Sequence, residues 1–144
     1  MAKDRLYINR DYRAFISSLQ ANNILGTDGA DAKDIFELAA AIGMYSPIPA
    51  DHNRDGYILT KTIKVEDKGI LDAMYLGTAK ETDNIDEMAD FDKVIEYTEQ
   101  CAEAGFAKLK EDVESAGYQN REIIEKRMIN DLDDLYIKNV RGYL

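Results

Sequence analysis

Apolar residues recur along the chain with helical spacing in five places and alternate in one. Tyr12, Phe15, Ile16 and Leu19 fall at i, i+3, i+4 and i+7, which puts one apolar stripe on a short helix from about Asp11 to Asn22. Gly26, Asp28 and Gly29 break that pattern. Asp31 is then placed to cap a second helix, in which Ile35, Phe36, Leu38, Ala39 and Ile42 leave few polar positions before it ends near Gly43. So apolar a helix is expected to be buried. Residues 45–56 read as a loop, because Pro47 and Pro49 cannot continue a helix and Asp55-Gly56 is a turn-forming pair.

From Tyr57 to Val65 the residues alternate and are rich in β-branched types, which predicts one strand or extended arm. Its candidate partners are the segment from Arg5 to Ile8 or a second copy of the chain. Glu66 and Asp67 open a third helix carrying Ile70, Leu71, Met74 and Tyr75, with the acidic pair at the end where the helix dipole favours it. After the polar stretch Lys80 to Asn84 comes a long acidic helix. Its positions Phe91, Ile95, Ala102, Phe106, Leu109 and Val113 keep helical spacing for about six turns. Gly105 interrupts it; a mid-helix glycine costs about 0.5–1 kcal/mol relative to alanine, so close approach of another backbone is the expected reason for it. Gly117 ends this helix, and a last one from about Asn120 to Val140 carries Ile124, Met128, Leu132, Leu135 and Tyr136. The predicted fold is mainly α: a compact bundle of about five helices with one short strand or β-hairpin arm near residues 57–65, forming a single helical domain over residues 1–144.

A chain of 144 residues can bury about 68–70% of its unfolded surface, so a core without staples is within reach. The single cysteine, Cys101, excludes an internal disulfide, and the lack of Cys or His clusters removes the ordinary zinc and iron–sulfur spacings. There is no run of about 18 apolar residues to span a bilayer, and the first residues, MAKDRLYINRDYRAF, lack the apolar stretch of a signal peptide. A cytoplasmic protein is expected.

The net charge of −10 is uneven. Residues 1–80 carry 11 acidic and 10 basic groups, and residues 118–144 carry 5 of each. Residues 81–117 hold 12 acidic groups against Lys93, Lys108 and Lys110, so nearly all the excess lies there. Such a block repels a nucleic-acid backbone and argues against direct binding to DNA or RNA. It reads as a solvated helix face, or as a docking face for a basic partner or a mimic of DNA charge.

The most specific local pattern is Asp51-His52-Asn53-Arg54-Asp55-Gly56-Tyr57-Ile58, which matches the first eight positions of an EF-hand or dockerin calcium loop. The twelfth position is Thr62, where a carboxylate should complete the coordination sphere, and the segment that follows reads as a strand. A weak calcium-binding module using Asp51, Asn53 and Asp55 is one expectation; a polar turn feeding the strand is the stronger one. His52 is the one histidine, so a Ser/His/Asp or Cys/His centre would have to use it, and its loop position does not point to such a role. Cys101 lies beside the apolar stripe of the acidic helix, next to Glu99 and Glu103, which disfavour a thiolate. Those two carboxylates share a helix face at i, i+4; without a Glu-x-x-His pattern they read as solvated surface. No glycine-rich phosphate loop is present. No catalytic residue, metal or cofactor is expected.

Three segments in order, Lys33-Asp34-Ile35-Phe36-Glu37-Leu38-Ala39-Ala40-Ala41-Ile42-Gly43, Gly56-Tyr57-Ile58-Leu59-Thr60-Lys61-Thr62 and Glu96-Tyr97-Thr98-Glu99-Gln100-Cys101-Ala102-Glu103-Ala104-Gly105, resemble small accessory proteins associated with Dnd-type (DNA phosphorothioation) bacterial defence systems. The resemblance spans roughly residues 10–115. It implies a non-enzymatic protein within a prokaryotic defence complex and carries no catalytic residue across. The expected function is therefore an accessory or adaptor subunit acting by protein–protein binding, its partner a defence-complex subunit or a nuclease. An acidic phage-type inhibitor presenting the 81–117 carboxylates in place of DNA phosphates is the alternative. In the last helix, Ile124, Met128, Leu132 and Leu135 form a narrow seam that predicts either an antiparallel hairpin with the acidic helix or a homodimer.

Overall fold

The long acidic helix is the element on which the others are assembled. A computed structural model of the chain describes residues 4–49, 53–78 and 91–139, in the order β1 (Arg5–Asn9), α1 (Tyr12–Ala21), α2 (Ala32–Gly43), β2 (Arg54–Leu59), α3 (Val65–Thr78), α4 (Phe91–Ala116) and α5 (Arg121–Asn139), with short 3-10 turns at Ile24–Gly26 and Thr60–Thr62. Among the described residues the fold is thus a mainly helical bundle of five helices with a two-stranded antiparallel sheet. Val94, Ile95, Ala102, Phe106, Leu109 and Val113 of α4 are all buried, as the helical period of the sequence requires.

α2 makes the closest contact with α4. The crossing is built from residues with little or no side chain: a Cβ placed on Gly105 would lie 1.6 Å from the Ala39 carbonyl oxygen, and one on Gly43 would lie 2.0 Å from that of Cys101. The two backbones therefore touch, and Ile35, Phe36, Ala39, Ala40 and Ile42 of α2 are buried around the crossing. This is the close approach expected at Gly105. α1 adds Tyr12, Phe15, Ile16 and Leu19 to the same core, with the Tyr12 and Phe106 rings stacked at 5.5 Å.

The strand is displaced from its expected place. β2 covers Arg54–Leu59, and the chain leaves it in a 3-10 turn at Thr60–Thr62, so neither the loop expected through residue 56 nor a strand running on to Val65 is found. Two local causes are visible. β1 pairs Leu6 with Ile58 and Asn9 with Arg54, which extends the ladder toward the N-terminal side. At the other end the Thr62 hydroxyl donates to the Leu59 carbonyl at 2.7 Å and turns the chain into α3. A register shift between Leu6 and Tyr7 sets Tyr7 opposite Gly56 and leaves Tyr57 as the extra residue of a bulge. Of the two candidate partners, the one found is the segment near Arg5 to Ile8.

α3 begins where the Asp67 carboxylate accepts the Lys64 backbone N–H at 3.0 Å, one half of a capping box, and the same carboxylate takes the Lys33 ammonium of α2 at 3.0 Å. Leu71 and Tyr75 are buried against Val94, whereas Ile70, expected on the packed face, is exposed. α4 ends at Gly117, whose φ of +90° only glycine adopts without strain, and α5 folds back as the helical hairpin that the short connection favours.

Candidate functional site

Asp51 and His52 lie outside the described residues, so the calcium-like loop is seen only from Asn53 onward. From Arg54 to Leu59 that visible part is strand, and Thr60–Thr62 is a 3-10 turn. Asp55 pairs with Ile8 in the sheet, and its carboxylate is engaged by two guanidinium groups, Arg10 at 2.8 Å and Arg13 at 3.6 Å. The Arg13 guanidinium also donates to the Gly56 carbonyl. A carboxylate already neutralised by two arginines is a poor calcium ligand, and Thr62 lies in a turn that brings no carboxylate back. Among the described residues no group of three or more His, Cys, Asp or Glu side chains is arranged to hold a metal ion.

Glu99 and Glu103 are not the solvated pair their spacing suggested. Both are buried: Glu99 accepts the Tyr7 backbone N–H at 2.6 Å and lies 3.7 Å from the Arg54 guanidinium, and Glu103 accepts the Asn9 amide at 3.1 Å. Glu99 thus satisfies an N–H on the outer edge of β1 that a two-stranded sheet would leave open. These carboxylates fasten the sheet to α4. Cys101, between them in sequence, is fully buried, and its thiol is pushed up to about 11 chiefly by burial. It is packed inside the core and unreactive as a nucleophile.

Among the carboxyl groups whose pKa values are raised, two that no sequence pattern singles out are raised the most. Glu37 of α2 is pushed up to about 7, first by burial and then by its hydrogen bond to Asp67 and the charge there. Asp112 of α4 is pushed up to about 6 by burial and by a hydrogen bond to Asp131 of α5. Each pair joins two different helices, which is why spacing along one helix does not reveal it.

The feature best suited to meeting another molecule is the outer half of α5. Only Ile124 and Met128 of this helix are buried, so the expected seam packs on the body in its first half alone. Leu132 is 45% exposed, and Ile129 (66%) and Tyr136 (49%) extend it as an apolar strip at i, i+3 and i+7. On another face of α5, that helix and the end of α2 leave a groove of about 270 Å³, floored by Ile42, Gly43 and Ala104 and edged by Lys108, Asp131 and Leu135. No helix among the described residues is long and apolar enough to cross a membrane. Compared with models of protein families, with curated proteins and with solved structures, the chain matches none.

Proposed function

We propose that this chain is a protein-binding adaptor with no chemistry of its own, and that it meets its partner through the outer face of α5. The observation that carries this reading is the strip Ile129, Leu132 and Tyr136: three large apolar side chains aligned along two turns and about half exposed or more. Scattered exposed apolar residues are ordinary, but an aligned set of this size is what interaction faces share. Glu125 and Asp133 stand beside the strip and supply the polar rim of such a face. The setting we propose, a prokaryotic defence complex of Dnd type, rests on the three resembling segments. These form α2, β2 and the first half of α4, so they are scaffold, and α5 is free to carry specificity.

Mimicry of DNA charge is the weaker reading. Of the acidic groups in residues 91–117, Glu99, Glu103 and Asp112 are turned inward, which thins the array that a nuclease would meet. The two readings differ in their response to salt, because a contact made through α5 side chains is held by apolar burial and a phosphate mimic by charge.

The test uses the full chain and Leu132→Glu. The intact chain is expected to retain its partner at high salt and the variant to release it while keeping the same melting temperature. Light scattering of both identifies the case in which that partner is a second copy: a dimer that becomes a monomer on substitution. A partner kept by Leu132→Glu, or one lost steeply with salt by the intact chain, overturns the assignment.

A further inference from the structure

α5 is divided at Asp131. Before it, Ile124 and Met128 are buried and the Arg127 guanidinium grips α4 through the Asp112 carbonyl at 3.2 Å and the Ser115 hydroxyl at 2.5 Å. After it, Leu135 and Asn139 are partly buried, and every other residue is exposed. At the boundary itself, the Asp131 carboxyl meets that of Asp112 across the two helices. The Oδ2 atoms of both are sealed from solvent, and no N–H or hydroxyl group reaches either one. Two carboxylates cannot share such a place when both are ionised; one proton held between them satisfies both oxygens and removes the repulsion. Lys108, one turn below Asp112, lies 3.8 Å from Asp112 and 3.7 Å from Asp131 and balances the remaining charge.

We propose that the Asp112–Asp131 pair is a proton-operated clasp, which holds the outer half of α5 against the body of the molecule while one proton is shared and releases it when both carboxyls ionise. Few other charged groups face the pair. α4 contributes Lys108 and Glu111, and α5 contributes Arg127, held at the Asp112 carbonyl, with Asp134 and Lys138 farther along the groove. α2 faces the groove with Ile42 and Gly43, followed by Ser46, none of which titrates in this range. Release would uncover Leu135 and the apolar floor at Ile42 and Ala104, enlarging the apolar surface at this end of the bundle. The clasp stands on the geometry of the pair and does not depend on what α5 binds.

The sign and size follow from linkage. A carboxyl whose pKa is raised in the closed state holds that state together at low pH and ceases to do so as the pH rises through the raised value, here about 6 against an ordinary 3.8. Opening of the outer half should therefore become about tenfold easier between pH 5 and pH 7.5. The experiment is amide hydrogen exchange of the full chain at those two pH values, corrected for intrinsic rates, comparing residues 131–139 with residues 121–128. The expected result is a loss of protection of about tenfold in 131–139 relative to 121–128. In Asp112→Asn this difference should vanish, because an amide donates to the Asp131 carboxylate at every pH; Asp131→Asn makes the same test should the first variant fold poorly. Relative protection that is the same at both pH values in the intact chain overturns the clasp, as does a pH response that persists in either asparagine variant.

Discussion

Replacing Gly105 by alanine tests the packing of the bundle at its tightest point. The new methyl carbon would lie 1.6 Å from the Ala39 carbonyl oxygen and 2.5 Å from the carbonyl carbon. An ordinary contact is about 3.5 Å, so α2 and α4 would have to part by almost 2 Å locally. Both obstacles are backbone, and neither can rotate away as a side chain would. Parting the helices loosens Phe36, Ala40, Phe106 and Leu109, all buried near the crossing, and a gap of 0.5–1 Å forfeits roughly a quarter to a half of each contact's dispersion energy. Overpacking of this kind costs about 1–3 kcal/mol and sometimes more, and the rigidity on both sides places this case at the upper end or beyond. Against that, alanine gains about 1 kcal/mol of helix propensity over glycine. The expected net loss is about 2–3 kcal/mol. The assay is urea unfolding at fixed pH, with the m-value checked for constancy. Gly69→Ala in α3 is the control: nothing lies within 4 Å of its added methyl, so the propensity term acts alone and stability should rise by about 0.5–1 kcal/mol. Opposite signs for these two substitutions are the expected outcome. A neutral or stabilising Gly105→Ala would refute the account of why α4 carries a glycine there.

Phe36→Ala should cost about 3–5 kcal/mol in the same unfolding assay, since the ring is 1% exposed in the middle of the core; a loss below about 1 kcal/mol would show that α2 is not central. Glu37 is expected to make stability fall as the pH rises. Its proton is held more tightly in the folded chain, so its contribution is complete below about 4.5 and lost as the pH passes through about 7, and Glu37→Gln should flatten that part of the stability–pH curve. Millimolar calcium should leave the melting temperature unchanged, because Asp55 is held by Arg10 and Arg13; a large rise that Asp51→Ala abolishes would contradict this.

The positions of the helices were legible in the order of residues alone. Five apolar repeats at helical spacing became five helices, because burying one face is the dominant favourable term and periodicity records which face it is. The breaks were legible too: Gly117 carries the positive φ that ends α4, and Gly105 marks the place where a second backbone comes into contact. Position along the strand was less legible, since a short alternating run says which residues suit a sheet and not where its partner's ladder begins or ends; pairing with β1 and the Thr62 turn settled that. The fate of the charged groups was settled by packing between elements. Glu99 and Glu103 look like solvent-facing neighbours along the helix, and whether such a face meets water or the edge of a strand depends on residues more than 90 positions away. The same holds for Asp112 and Asp131, and for Glu37 and Asp67. An ionisable side chain takes its character from the groups brought to within a few ångströms of it, and for these carboxyls those groups come from another element of the fold.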